Sequence, residues 1–506
     1  MPRYQLPGVY VQEIATAVPP ISPSPTSRAL FIGRSTMGPA GVPVKVSNVS
    51  EFHANFGNGA LGTTLEGAVE LFFGNDGKEL IVVRVFRPDP QSSDNPKAVI
   101  DLGAFTLEAA SEGLWGRSII VSVDLARSSR PTRKQGLREG EPFNLEVMVS
   151  GTGMNVPAEV HRELTMGDGP RQVDKVLKEG SRIVRFKEHG EEVRTVSAGR
   201  FLAVGGSDGL PLDASSIIGA DGGGMNALDR TDGFDILYIP PYREDQMMEP
   251  SILAAAADRC RANRAILLLD APRGWSTVDD ARNGIEGIRT ALGAVAKDAA
   301  LYFPNLMVPD GPGQTRSAPP AGAVAGVIVR NDSLRGVWKV PAGTEAVIKG
   351  AGETALRLSD GELSFLNTLA INCLRKLPGG RVVIWGGRTL DGADLSTSEW
   401  KYLPVRRLYL FIEKSLQKGL EWTMFEANDR PLWSKVRVSV EAFLLALFHK
   451  GAFPGTVPRD AFFVRCGNDT TSADELRNGL LNLHVGFAAL KPAEFIILRL
   501  QLRART

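Results

Sequence analysis

Gly205-Gly206-Ser207-Asp208-Gly209 satisfies the G-x-S-x-G pattern, in which a serine held on a sharp strand-to-helix turn attacks a carbonyl carbon. Phe201-Leu202-Ala203-Val204 supplies an apolar strand before it, but Leu210-Pro211-Leu212 stands where the helix should begin. The serine would also need an imidazole base, and only His449 and His484 lie downstream. A glycine turn leading from one domain to the next asks less of the sequence. Gly219-Ala220-Asp221-Gly222-Gly223-Gly224 has the composition of a phosphate-cradling loop. It fits neither G-x-x-x-x-G-K-[ST] nor G-x-G-x-x-G, and no lysine is placed to neutralise a phosphate. It reads as a flexible loop. His53, His161, His189, His449 and His484 show no HExxH spacing, and Cys260, Cys373 and Cys466 lie far apart with no CxxC pair. Surface or core histidines and buried reduced thiols follow. The expectation is no catalytic residue, no metal and no cofactor, with a cytosolic α/β hydrolase using Ser207 as the alternative. Two readings stay open for Arg388, Arg406 and Arg407: a basic face for an acidic partner, or ion pairs within the fold. Trp385 and Trp433 read as core.

The totals set the frame for those residues. A chain of 506 residues is too long for one core, so two or three domains are expected. A hydrophobic content of 43% with 23% charged residues is ordinary for a globular protein. The net charge of +1 demands neither nucleic acid nor an anionic membrane as partner. The balance is uneven, however: from Gly350 onward 21 Lys and Arg stand against 16 Asp and Glu. No apolar run approaches the roughly 20 residues of a membrane span, and the N-terminus lacks the apolar core of a signal peptide. Synthesis and folding in the cytoplasm are expected, compatible with later release by lysis.

Alternation of strands and helices organises the middle of the chain. Arg28–Gly33 and Glu79–Val85 read as core strands, with helices over Ser50–Phe56 and Thr63–Phe73 between them. From Phe105 to Phe201 the texture changes to short strands, such as Ser118–Val123, Phe143–Val149 and Arg182–Phe186, between Gly-rich or charged turns. This predicts an inserted strand-rich domain, with Arg127–Glu141 a charged loop. Beyond Gly205 the strands Phe234–Ile239, Ala265–Asp270 and Ala299–Phe303 alternate with helices over Asp245–Arg264 and Thr277–Lys297. That order implies right-handed crossovers and a parallel sheet covered on both faces. From about Gly350 the pattern turns α+β: a helix over Ser359–Lys376, a strand over Arg381–Trp385, and helices over Val405–Gly419 and Trp433–Lys450.

Both ends carry strands where chains usually fray. At the C-terminus Ala461–Cys466 reads as a buried strand closed by Gly467-Asn468-Asp469. Thr470, Thr471 and Ser472 offer N-caps to a short helix holding Asp474, Glu475 and Arg477, with Asn478 and Gly479 as stop signals. In Phe495–Arg503 the residues Ile496, Leu498, Leu500 and Leu502 share one face, as in a half-buried strand. At the N-terminus Val9–Ile14 is strand-like. Thirteen residues, Ala15–Ser27, with Pro19, Pro20, Pro23 and Pro25 among them, separate it from the first core strand. At about 3.1 Å per residue this spacer reaches roughly 40 Å. Two sticky strands at free ends, one on a long tether, point to strand exchange between subunits.

Pro7-Gly8-Val9-Tyr10-Val11, Gly205–Gly209, Trp385-Gly386-Gly387-Arg388-Thr389-Leu390, Val405-Arg406-Arg407-Leu408, Phe462-Phe463-Val464 with Cys466, and Lys491-Pro492-Ala493-Glu494-Phe495 occur in this order along the chain. Together they resemble the contractile tail sheath proteins of phages and phage-tail-like injection systems. The resemblance implies a structural subunit that polymerises helically around an inner tube in a stretched state, and contracts to drive the tube through a target envelope. Its partners would be itself, the inner tube protein, and baseplate and terminal cap proteins, with no nucleic acid and no direct membrane insertion. Another tail component, a tube or baseplate protein, is an alternative that the length disfavours, since tube proteins are much shorter. The implied fold is multidomain α/β and α+β. It comprises an arm at 1–27, a central doubly wound domain at 28–104 and 202–349, an inserted β-rich outer domain at 105–201, and a C-terminal sheath domain at 350–506 completed by exchanged strands. Val9, Tyr10, Val11, Gln12, Glu13 and Ile14, with Phe495, Ile496, Ile497, Leu498, Arg499 and Leu500, would pair with strands of neighbouring subunits. The C-terminal domain would face the tube, through Asp474, Glu475 and Arg477 of the helix near Ser472–Asn482 or through Arg388, Arg406 and Arg407.

Overall fold

Ala29–Gly33 follow one another without a polar residue, as a strand covered on both faces requires, and all five are buried. The computed structural model that shows this describes residues 18–58, 64–92, 95–125, 142–151, 156–190, 196–219, 222–242 and 248–490, with the backbone of 495–503. The chain forms two units, one of residues 26–406 and one of residues 1–25 with 407–506. In the larger unit, Arg28–Gly33 runs parallel to Glu79–Arg84 on one side and to Ile236–Tyr238 on the other. The parallel run continues through Ile266–Asp270, Ala299–Phe303 and Ile371–Lys376. Antiparallel strands finish the nine-stranded sheet, Val44–Val46 at one border and Val382–Ile384 with Val347–Ile348 at the other. Strand order reverses at Arg28–Gly33, so the sheet is doubly wound.

Helices cover both faces. Leu30, Ile32, Ile81, Val83, Leu267 and Leu301 pack with Ile252 and Ala256 of helix Pro250–Asn263, Ile285 and Ile288 of helix Val278–Leu292, and Leu363 and Leu366 of helix Asp360–Thr368. On the opposite face Phe31 meets Tyr238 and Phe72 edge-on, with ring centroids 5.1 and 5.5 Å apart. Phe72 belongs to helix Thr64–Gly74, against which helix Ala321–Arg335 lies at backbone contact. A Cβ on Gly322 would stand 2.6 Å from the Ala68 carbonyl oxygen, and one on Gly326 only 2.4 Å from that of Phe72. This helix has no amphipathic period, because Ala321–Val329 is buried all round, and the sequence pattern did not mark it. Its N-terminus is held by Asp270, whose Oδ1 accepts the Ala321 N–H at 2.8 Å while Oδ2 accepts the Tyr238 hydroxyl. Part of the Asp270 residue reaches the surface. Desolvation of its carboxyl still outweighs both hydrogen bonds and pushes it up to about 7.

Two expectations need correction here. Ser359–Lys376 is not one helix: Asp360–Thr368 is helical, Ala370 adopts a positive φ of 57°, and Ile371–Lys376 is a strand. Parallel pairing with Ala299–Phe303 outweighed local helix propensity. For the same reason a boundary near 350 falls inside the nine-stranded sheet, and the division between units comes at Arg406/Arg407.

The inserted region holds two antiparallel four-stranded sheets. One contains Ile119–Leu125, Phe143–Val149, Glu159–Leu164 and Gly199–Leu202; the other contains Ala98–Asp101, Phe105–Ala109, Val184–His189 and Val204–Gly205. They share one core, with Ile100, Leu107, Trp115, Val121, Leu145 and Leu177. Arg84, 2% exposed, marks the departure point by donating to the Ser35 and Gly38 carbonyls and to the Glu112 carboxylate and carbonyl. The charged loop Arg127–Glu141 lies outside the described residues.

The smaller unit is built on helix Arg430–His449, capped by Asp429 and buried along Leu432, Val436, Val440, Leu444 and Leu447, and on residues 407–419, which complete helix Leu403–Gly419. The expectation for Ala15–Ser27 is an extended, semi-rigid tether. From Val18 to Pro25 the segment is instead docked. Ser24 N–H donates to Ser415 Oγ at 2.9 Å, Ser439 Oγ donates to the Pro19 carbonyl, and Ile21, 8% exposed, fills the space that Gly419 leaves. A three-stranded antiparallel sheet of Phe462–Cys466, Leu480–Ala488 and Phe495–Arg503 completes the unit.

Gly326→Ala should cost about 1–3 kcal/mol, because the obstacle is backbone that cannot rotate away; the midpoint of denaturant unfolding measures it. Asp270 should set a pH dependence. Between the ordinary aspartate value near 3.9 and about 7, the folded chain holds a proton that the unfolded chain has released. Its contribution is therefore complete below pH 4 and is lost as pH rises through 7. Asp270→Asn should flatten that part of the stability profile, as followed by thermal melting from pH 4 to 8.

Candidate functional site

Gly205–Gly209 is where the inserted region returns to the central sheet. Gly205 pairs with Ala98, Ser207 N–H donates to the Pro96 carbonyl at 3.1 Å, and Asp208 accepts the Leu114 N–H at 2.8 Å. Arg117 donates to the carbonyls of Gly205 and Gly206. Gly206 and Gly209 have φ of 86° and 68°, and a Cβ on Gly209 would lie 2.1 Å from the Arg87 carbonyl oxygen. The glycines are there because two backbones nearly touch. Ser207 Oγ accepts the Gly209 N–H at 3.1 Å, closing a local turn. Among the described residues no imidazole bonds to it, so the base of an acyl transfer is missing. The following helix starts only at Ala214, behind a capping box on Asp213.

The glycine loop at 219–224 also presents the wrong groups for a phosphate. Arg230 donates to the carbonyls of Gly41 and Gly222, whereas a phosphate cradle turns N–H groups outward. Gly219 and Gly224 take positive φ, and a Cβ on Gly224 would meet the Ile217 carbonyl oxygen at 2.2 Å.

Arg388, Arg406 and Arg407 do not form a basic face. Arg388 is 11% exposed and bonds to the carbonyls of Asn367 and Gly392 and to Asp394 at 2.9 Å. Arg406 meets Asp298 at 2.5 Å and covers the Trp400 ring at 4.7 Å, with both charged side chains buried. Arg407 is 4% exposed. Of the two readings, ion pairing within the fold describes Arg388 and Arg406, because a buried guanidinium must be matched by acceptors. Trp433 is buried, as expected, but Trp385 is 39% exposed beneath the Arg375 guanidinium, 5.1 Å from its ring centre.

The terminal sheet carries the remaining candidates. Leu480–Ala488 lies between Phe462–Cys466 and Phe495–Arg503, and pairs with the latter in an unbroken register from Leu480↔Arg503 to Ala488↔Phe495. Phe495, Ile496, Ile497, Leu498, Arg499 and Leu500, expected on a neighbouring subunit, are thus paired within their own chain. The expectation left out the strand best placed to satisfy them. Leu480–Ala488 was legible in the alternation of Leu481, Leu483, Val485 and Phe487, all fully buried, yet was hidden behind the stop signals Asn478 and Gly479. Phe495–Arg503 forms the border of the sheet, and among the described residues nothing pairs with its outer edge. Val9, Tyr10, Val11, Gln12, Glu13 and Ile14 lie outside the described residues.

Between the first two strands, Ala473–Arg477 forms a short helix with no buried residue, closed at Asn478 as the stop signals indicate. Ser472 caps it, as the sequence indicates, in a capping box with Glu475. Hydrogen bonds from Ser472 N–H and then from Asn482 hold the Glu475 carboxyl below its ordinary value. Asp474 pairs with Arg477 one turn on. Asp474 and Arg477 face solvent, whereas the Glu475 carboxylate is turned back onto Ser472 and Asn482.

Residues 224–390 match the family model for the phage tail sheath protein central domain. The match runs past residue 350 through the last strands of the nine-stranded sheet. No curated protein matches the chain. Solved structures similar to it include the helical sheath of the anti-feeding prophage in the contracted state (22% identity, 98% of this chain and 99% of that one, TM-score 0.59). The sheath complex of an extracellular contractile injection system, PVC, in the contracted state is also similar (20% identity, 98% of each chain, TM-score 0.58). So is a sheath tail protein of Listeria innocua (13% identity, 96% of each chain, TM-score 0.65). Residues 224–390 thus resemble the sheath central domain, and the fold is similar to that of these sheath structures along nearly the whole length of the chain.

Ser207→Ala should change stability by less than about 0.5 kcal/mol, whereas Gly209→Ala, at positive φ against backbone, should cost at least about 1 kcal/mol. Thermal melting of the two variants shows whether the turn depends on the glycine and not on the serine.

Proposed function

We propose that this chain is the sheath subunit of a contractile injection machine: a homopolymer wound helically around an inner tube, seated on a baseplate and closed by a cap protein. The observation that carries the reading is the shared fold over 96–98% of the chain, including the terminal sheet, with structures of assembled sheaths and a sheath tail protein. Energy for contraction would come from packing differences between two states of the polymer. Subunits that join through unlike surfaces, without closing a ring, extend as a helix.

The terminal sheet suits such an assembly. Among the described residues nothing pairs with the outer edge of its border strand, which suits a neighbour's strand in the manner of strand addition. Exchange of Phe495–Arg503 into the equivalent place beside Leu480–Ala488 of another subunit would keep every backbone bond of the present register. Each such bond is worth roughly 0.5–1.5 kcal/mol net. The cost of exchange is then the ordering cost of association and not lost backbone bonds. Val9–Ile14 of a further subunit would add at the open edge, and Asp474, Glu475 and Arg477 would meet the tube. Synthesis in the cytoplasm before assembly fits a chain whose described residues include no helix long and apolar enough to cross a membrane.

Negative-stain microscopy of the native assembly should show sheathed tubes. Removing Met1–Ala15 leaves the docked segment from Val18 in place, so the chain should remain folded and lose only polymerisation. Full-length contractile sheaths built from that truncated chain would rule out interlaced strands.

A further inference from the structure

Helix Val49–Phe56 and helix Thr64–Gly74 bring His53, Glu66 and Glu70 together. Glu66 and Glu70 are one turn apart on the same helix, so their carboxylates share a face. His53 Nε2 stands 3.4 Å from Glu66 Oε1 and 3.9 Å from Glu70 Oε1, and all three donor atoms lie within 4.8 Å of one another. The nitrogen is shielded from solvent yet makes no hydrogen bond to either carboxylate. Either a proton on Nε2, making an ion pair with both carboxylates, or a metal ion shared by all three would join the imidazole to them.

We infer that His53 Nε2, Glu66 and Glu70 form a binding site for a divalent transition-metal ion of the zinc class. With Zn–N and Zn–O bonds of about 2.0–2.2 Å, two ligands of a tetrahedral ion are separated by roughly 3.4 Å. The His53–Glu66 separation meets that value, and Glu70, 47% exposed, needs only a small rotation to close from 3.9 Å. One imidazole with two carboxylates suits zinc better than the all-oxygen sets of calcium or magnesium. The half-exposed Glu70 side leaves the fourth position to water. The thiols of Cys260, Cys373 and Cys466 are buried and do not compete. A bound ion would cross-link the two helices that precede strand Glu79–Arg84, stiffening one border of the central sheet.

The test is isothermal titration of the untagged full-length chain, freed of metal with EDTA, using Zn2+. Co2+ serves as an absorbance probe of four-coordination. One equivalent of Zn2+ should bind with a Kd of 10 µM or tighter, on the order expected of a three-ligand protein site, and raise the melting temperature. His53→Asn and, separately, Glu70→Gln should weaken binding at least tenfold. Glu70→Gln is half-exposed, and its circular dichroism and melting in EDTA should match the parent, so loss of binding there is not loss of fold. No zinc binding, or binding unchanged in both variants, would overturn the site.

Discussion

A sheet of parallel strands must be covered on both faces, and most of the larger unit follows from that demand. Two layers of helix are needed, and one of them, Thr64–Gly74 with Ala321–Arg335, fits only because Gly322 and Gly326 let backbones meet. Asp270 uses one carboxylate oxygen to fix the start of the second helix and the other to hold Tyr238, and its carboxyl resists ionisation. The strand-rich insertion must leave and re-enter without opening the sheet. Its exit is tied by the buried Arg84, and its return by the glycine pentapeptide and Arg117. What looks like a nucleophile elbow in the sequence is a seam.

The two principal sheets treat their borders differently. The nine-stranded one ends in short antiparallel strands at each side, Val44–Val46 and Val347–Ile348, which offer little to an incoming chain. The three-stranded sheet ends in nine residues of uninterrupted strand. A protein that avoids unwanted pairing at one sheet and keeps a long edge at another is selective about where it joins its neighbours, which accords with the proposed polymer.

Much of this was legible beforehand. Phe143–Val149 and Ala299–Phe303 have the bounds read from their apolar runs, because nothing local competes with a strand there. The doubly wound order followed from alternation of strand and helix. Long-range effects hid the rest. Ala321–Arg335 is small and apolar on every side, so it has no period to detect, and Ile371–Lys376 is a strand only because Ala299–Phe303 lies beside it. For Arg388 and Arg406 the choice between a basic face and internal ion pairs stayed open, because sequence cannot show Asp394 and Asp298 beside them. His53, Glu66 and Glu70 carry no spacing signature, since their proximity comes from two helices folding together.

The docked segment Val18–Pro25 bears on mechanics. It is held at several points along its length: by the Pro19 carbonyl on Ser439, by Ile21 against Gly419, and by the Ser24 amide on Ser415. Tension arriving from the N-terminal side would load these attachments in shear, sharing the force, instead of peeling them off one by one. Load that reaches Val18 therefore meets several contacts at once, and helices Leu403–Gly419 and Arg430–His449 receive it together.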